Sequence, residues 1–175
     1  MHNTPLSEAE KDHKMEQLTV TILFAAGILI RHGLSAQTAL LIPLSFIAVH
    51  CAYSDLDRRV IPDEALQAGL LYRMLAVPLS GKILSDLAAA FAGAAVMAAI
   101  LLAVSIIYEK VRRRGAIGGG DIKLLVLAGA YLGAWDALTA MFAACMLALI
   151  FSVRGRQPFP WGPAIAAGVF TMTVK

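Results

Sequence analysis

The sequence predicts an all-α fold, a polytopic integral membrane bundle of six to seven transmembrane helices. Composition points there first. Of 175 residues, 59% are hydrophobic and only 15% charged, with a mean hydropathy of +0.72. A soluble domain runs at about 45–50% apolar and roughly 25% charged. The second observation is segregation: the apolar residues fall into blocks parted by short joints carrying charge, Pro or Gly. The third is that Lys and Arg alternate between successive joints, as in membrane topology.

Residues 1–16 are polar and mixed in charge, with Glu8, Lys11, Lys14 and Glu16 among them. They predict a short cytosolic lead-in and lack the basic start and small-residue cleavage site of a secretory signal. The membrane domain then runs over 17–175, leaving no room for a second, soluble domain. Its apolar blocks are 17–30, 38–54, 64–79, 87–108, 122–134, 137–152 and 160–173. A perpendicular helix needs about 20 residues to span hydrocarbon. Only 87–108 reaches that length; 17–30 and 122–134 read as tilted or partial spans extended by their flanks. Gly93, Gly129 and Gly133, with Ala beside them, predict close helix packing. Arg73 inside the third block must reach an interface or pair with a carboxylate.

With a cytosolic N-terminus and seven crossings, the inside joints hold ten Lys and Arg residues, Arg58, Arg59 and Lys110 among them. The outside joints hold three: Arg31, Lys82 and Lys175. Six crossings with one re-entrant segment is the competing arrangement. The net charge of +3 therefore reads as topology and lipid contact rather than nucleic acid binding. Cys51 and Cys145 lie within apolar blocks and form no CxxC or Cys/His cluster, so no metal site is expected.

This topology brings two carboxylates, Asp55 and Asp121, to the same cytosolic face although they lie 66 residues apart. An ionised carboxylate in hydrocarbon costs on the order of 2.5–3.5 kcal/mol at a helix centre, so retaining both calls for a function. Two acids brought together can share a proton. One then activates water as a base, while the other protonates the scissile carbonyl. That chemistry needs no cofactor, metal or covalent intermediate. The histidines have no partnered Ser or Cys motif, and no HExxH is present.

Both acids sit at predicted helix–loop junctions. Gly118, Gly119 and Gly120 precede Asp121 and are expected to allow unusual φ values and close approach to an extended substrate. Asp121 then opens a helix, whose dipole favours its ionised form. Pro62 suits the first turn of the next helix and breaks the one before. Asp57 is the rival to Asp55; two residues on, it projects from another side of a helix. Asp57 and Asp63 are placed either to attract a basic peptide or to form a solvated face. Lys123 either snorkels to lipid phosphate or lies near Asp121.

An Asp seven positions before the Pro of Ile61-Pro62-Asp63, followed by Gly118-Gly119-Gly120-Asp121-Ile122-Lys123-Leu124, resembles the type IV prepilin peptidases, GxGD membrane aspartyl proteases. Pro158-Phe159-Pro160-Trp161-Gly162-Pro163 resembles that family's segment before its last span. The resemblance covers about residues 38–173. It implies Asp55 and Asp121 as the catalytic pair, with Gly118 and Gly120 as the motif glycines; the spacing to Pro62 selects Asp55 over Asp57. Gly119, Pro62, Lys123 and Asp57 are expected to shape the site or meet substrate.

The implied activity is endoproteolytic removal of the leader from a prepilin, pseudopilin or preflagellin at the cytosolic face of the inner (plasma) membrane. The long forms carry two CxxC pairs and an N-methyltransferase activity; this chain has no such pairs, so a peptidase without methylase is expected. A presenilin-like protease would need a Tyr-Asp pair and a Pro-Ala-Leu segment, and the chain has Tyr53-Ser54-Asp55 and no Pro-Ala-Leu. A non-enzymatic assembly or transport component retaining the fold is the reading from a different class.

Overall fold

The computed structural model of this protein describes residues 8–112, 118–154 and 160–175. Among them the chain forms seven α-helices and no strand: α1 (Glu8–His32), α2 (Ala36–Arg58), α3 (Asp63–Ala76), α4 (Ile83–Arg112), α5 (Gly119–Leu132), α6 (Ala134–Arg154) and α7 (Trp161–Thr173). A 3-10 turn, Val77–Ser80, joins α3 to α4. Each apolar block of the sequence has become one helix. The polar lead-in is already helical from Glu8, so α1 starts ahead of its apolar block.

Among the described residues, three helices are long and apolar enough to cross a membrane: Ala36–Arg58, Ile83–Val111 and Ala134–Val153. The sequence showed this length only for 87–108; flanking residues carry the other two past it. Only 22% of the spanning stretches of α4 and α6 is buried inside the protein. Phe91, Ile107 and Phe142 face outward, the exposure expected of helices that turn apolar side chains toward a bilayer. Helices α3, α5 and α7 have 14, 14 and 13 residues. At 1.5 Å per residue they rise roughly 20 Å, short of the ~30 Å hydrocarbon thickness.

Small residues set the closest approaches. A Cβ on Gly129 of α5 would lie 2.6 Å from the carbonyl oxygen of Gly93 on α4, and one on Gly93 would strike Gly129 in turn. Gly133 joins that contact through its Cα and, at φ +79°, also turns the chain out of α5. In membranes such backbone contact replaces the hydrophobic force that water supplies to soluble cores.

Backbone groups freed by irregularities find side-chain partners. Pro43 lies inside α2 and cannot donate to the carbonyl of Ala39 one turn back. The Tyr72 hydroxyl of α3 donates to that oxygen instead, at 2.8 Å. Arg73 is buried and among the described residues pairs with no carboxylate: its Nε–H donates to the carbonyl of Ala130 at 2.9 Å, one of the last four of α5, which have no donor within the helix. The Arg73 guanidinium also lies 6.0 Å from the centre of the Tyr131 ring, while the Tyr131 hydroxyl donates to Gly69 at 2.6 Å. These contacts tie α3 to α5.

Contacts from His13 to Asp57, Lys123 to Asp63 and Gly162 to Asp55 gather the starts of α1, α3, α5 and α7 at one end of the bundle with the end of α2. The residues that can do chemistry stand at that end.

Candidate functional site

Helix α2 stops three residues past Asp55. Arg59 adopts φ 55°, in the left-handed region, and donates its N–H to the Asp55 carbonyl. For a side-chain-bearing residue that conformation costs about 1 kcal/mol, and it turns the chain into an extended stretch. Pro62 (φ −70°, ψ 124°) stands at the N-cap of α3, one residue before the helical turn expected for it.

Asp55 is 8% exposed. Its Oδ2 accepts a 2.8 Å hydrogen bond from the backbone N–H of Gly162, the second residue of α7. The carboxylate thus supplies a cap to a helix distant in sequence, and the positive end of that helix faces the negative charge. A Cβ on Gly162 would lie 2.8 Å from the Cβ of Asp55 and 3.2 Å from the Cα of Ala52. Only glycine permits this approach. Of the segment 158–163, residues 158 and 159 lie outside the described residues.

Gly118 is the N-cap of α5, and Asp121 is its third residue. The Asp121 carboxylate takes a hydrogen bond from the Gly118 backbone, reaching back one turn as the acidic member of a capping box does. Its Oδ1 is buried and has no hydrogen-bond partner among the described residues. Asp121 precedes the apolar residues of α5. Burial, and second the charge of Asp55, push it up from 3.8 to about 6, against the opposing pull of the Gly118 hydrogen bond.

The glycines do not serve as expected. Gly118 has φ −61°, and Gly118, Gly119 and Gly120 are absent from the positive-φ residues. Space is what they provide. A Cβ on Gly118 would lie 2.8 Å from Asp121 Oδ2, and one on Gly120 2.8 Å from the Cβ of Ile61, whereas one on Gly119 would meet nothing. The two glycines of GxGD are crowded, and the variable position between them is open.

Asp55, Asp121, Pro62 and all three glycines line one cavity of about 540 Å³, together with Arg58, Arg59, Asp63 and Glu64. The two acids, far apart in sequence, therefore face a common space. Lys123 and Asp57 do not line it. Lys123 Nζ donates to both oxygens of Asp63, at 2.7 and 2.8 Å, so it joins α5 to α3 across the edge of the cavity. Asp57 accepts from His13 Nε2 at 3.1 Å, on the side of α2 that faces α1.

Gly162 is the site residue to which sequence reasoning assigned no role. Its signal was a glycine between Trp161 and Pro163 where a helix begins. Among the described residues, no three His, Cys, Asp or Glu side chains come together to hold a metal ion.

A family model described as the type IV leader peptidase family matches residues 41–153, a stretch containing both acids and the glycine run. A Bacillus subtilis protein named prepilin leader peptidase/N-methyltransferase is 29% identical over 161 residues, covering 87% of this chain and 61% of the relative. A Burkholderia pseudomallei protein of the same name is 34% identical, covering 82% of this chain and 48% of the relative. A third, from Pectobacterium carotovorum, is 33% identical over 92% of this chain and 60% of the relative. The chain thus spans about half to three-fifths of the length of these relatives. No solved structure matches it.

Proposed function

The chain belongs to the type IV leader peptidase family, and from that premise we propose that it is a membrane aspartyl endopeptidase that removes the leader from a prepilin or pseudopilin. The observation that carries this reading is the meeting of Asp55 and Asp121 in one cavity at one end of the bundle. Residues 17–175 form the peptidase unit in this reading, behind the lead-in 1–16. The cavity faces the cytosol at the inner membrane, in agreement with the excess of Lys and Arg on that side.

Asp121 is the member that holds the proton, because burial disfavours its charge and a second acid lies nearby. Asp55 is the base, its charge complemented by the start of α7. Asp55 takes a proton from water, the water oxygen attacks the scissile carbonyl carbon, and Asp121 protonates the carbonyl oxygen. Collapse of the tetrahedral intermediate breaks the C–N bond; the amine leaves with the proton from Asp55, and the proton returns to Asp121. Both acids end as they began. The residues acting are the protein's own.

The test is co-expression with a small prepilin, read by gel mobility. Asp55→Asn and Asp121→Asn should each abolish processing while the protein stays in the membrane fraction. Full processing by either variant would remove that residue from the mechanism. Absence of processing by the wild-type chain, with pilus assembly unaffected in both variants, would favour a non-enzymatic assembly role.

A further inference from the structure

A second hollow, about 300 Å³, opens between α3, α4 and α5. Asp63 lines both this hollow and the cavity of the two acids, so the two spaces adjoin. Its walls are two helix faces in matched register. Asp63, Leu66, Gln67 and Leu70 stand on α3; Lys123, Val126, Leu127 and Ala130 stand on α5. Both sets follow the i, i+3, i+4, i+7 spacing of a single helix face, and the Lys123–Asp63 ion pair aligns their first members. Ala94 of α4 completes the lining.

We propose that this groove binds the apolar residues of the substrate that follow the scissile bond, with the carboxamide of Gln67 hydrogen-bonding their unwound backbone; the proposal rests on the peptidase reading above. Polarity is the first support. The catalytic cavity is rimmed by charged side chains, whereas the groove beyond the ion pair is aliphatic apart from Gln67. A peptide that changes from polar to apolar at the bond being cut matches that sequence of surroundings.

Length agrees. The seven steps of helix from Asp63 to Leu70 rise roughly 10 Å, the reach of about three residues of extended chain. The third support separates peptide from lipid. A peptide bond opened for attack loses helical hydrogen bonds, and in hydrocarbon each such group needs a partner. Gln67 is exposed and carries both donor and acceptor; an acyl chain can use neither.

The probe is a synthetic peptide with a basic leader ending in Gly, followed by an apolar helix of about 20 residues, presented to the purified full chain in proteoliposomes. Gln67→Leu should raise KM roughly three- to tenfold, about the worth of a hydrogen bond, with kcat changed less than about twofold. Ala94→Phe, which fills the groove, should raise KM further. In an Asp121→Asn background, a photoreactive benzophenone side chain at Leu70 should capture the peptide, while one at the outward Phe142 should not. Unchanged KM in Gln67→Leu, or benzophenone adducts at Leu70 with phospholipid alone, would overturn the groove assignment. Failure of the peptidase reading looks different: the wild-type chain would leave the peptide uncut, whatever the capture at Leu70.

Discussion

The N–H of Gly162 donates to Asp55 Oδ2 at 2.8 Å, joining residues 107 positions apart across the α2–α7 contact. The bond positions one acid of the proposed pair by a backbone group, which cannot swing away as a side chain can. It requires glycine because the carboxylate and the backbone of Ala52 occupy the space where a side chain would begin.

Gly162→Ala is expected to lower processing at least about tenfold, since a misplacement of about 1 Å can cost a hundredfold in rate. Gly119→Ala, whose added methyl meets nothing, should leave processing within about twofold of wild type. It should also stabilise the protein by roughly 0.4–1 kcal/mol by reducing the freedom of the unfolded chain. Prepilin processing and thermal unfolding of the two proteins check the pair; equal damage at both glycines would show that the crowding at Gly162 is unimportant.

The elevated value of Asp121, about 6 against an ordinary 3.8, sets two pH dependences. If Asp121 delivers the proton, kcat falls as pH rises through about 6 and above. Stability follows the same sign. The folded state binds this proton more tightly than the unfolded chain, so its contribution is fully present below about 3.8 and is lost as pH rises through about 6. Asp121→Asn should therefore resist heat better than wild type at about pH 8, with a smaller advantage at about pH 4. Unfolding in detergent micelles at both pH values measures this, and an advantage independent of pH would exclude the linkage.

Asp57 pairs with His13 rather than facing the cavity. Asp57→Asn is expected to retain processing within about threefold, and because the pair is half exposed, stability should change by less than about 1 kcal/mol. Complete loss of processing would return Asp57 to contention as the first acid.

Tyr72 supplies the donor that Pro43 withholds from Ala39. Tyr72→Phe removes the hydroxyl and leaves that carbonyl without its bond, a loss expected at about 0.5–1.5 kcal/mol. A double variant with Pro43→Ala, which restores the helical N–H, should recover much of the loss. Thermal unfolding of the single and double variants in micelles tests the coupling.

Much of the bundle was legible in the chain because hydropathy acts locally. Each apolar block became a helix, and the alternation of Lys and Arg predicted that Asp55 and Asp121 share a face before any packing was known. The choice of Asp55 over Asp57 came from its spacing to Pro62 in a family resemblance, and the cavity lies on the Asp55 side. Other features had no local signature. Arg73 looked out of place among apolar residues until α5 brought the unpaired carbonyl of Ala130 to it. The glycines before Asp121 suggested unusual φ values, yet what they provide is room, which depends on where Ile61 and the Asp121 side chain lie.

By itself, then, the sequence determined the all-α membrane fold and the two acids at one end, since composition, spacing and charge order belong to the chain alone. Tertiary structure decided how those acids are held: Asp55 against the start of α7, and Asp121 half-buried, with one oxygen that finds no partner among the described residues. It also decided that Lys123 would bind Asp63 and separate a polar cavity from an apolar groove. Those outcomes depend on hydrogen bonds a few ångströms long between segments up to 107 residues apart, and only the packing of one helix on another sets such distances.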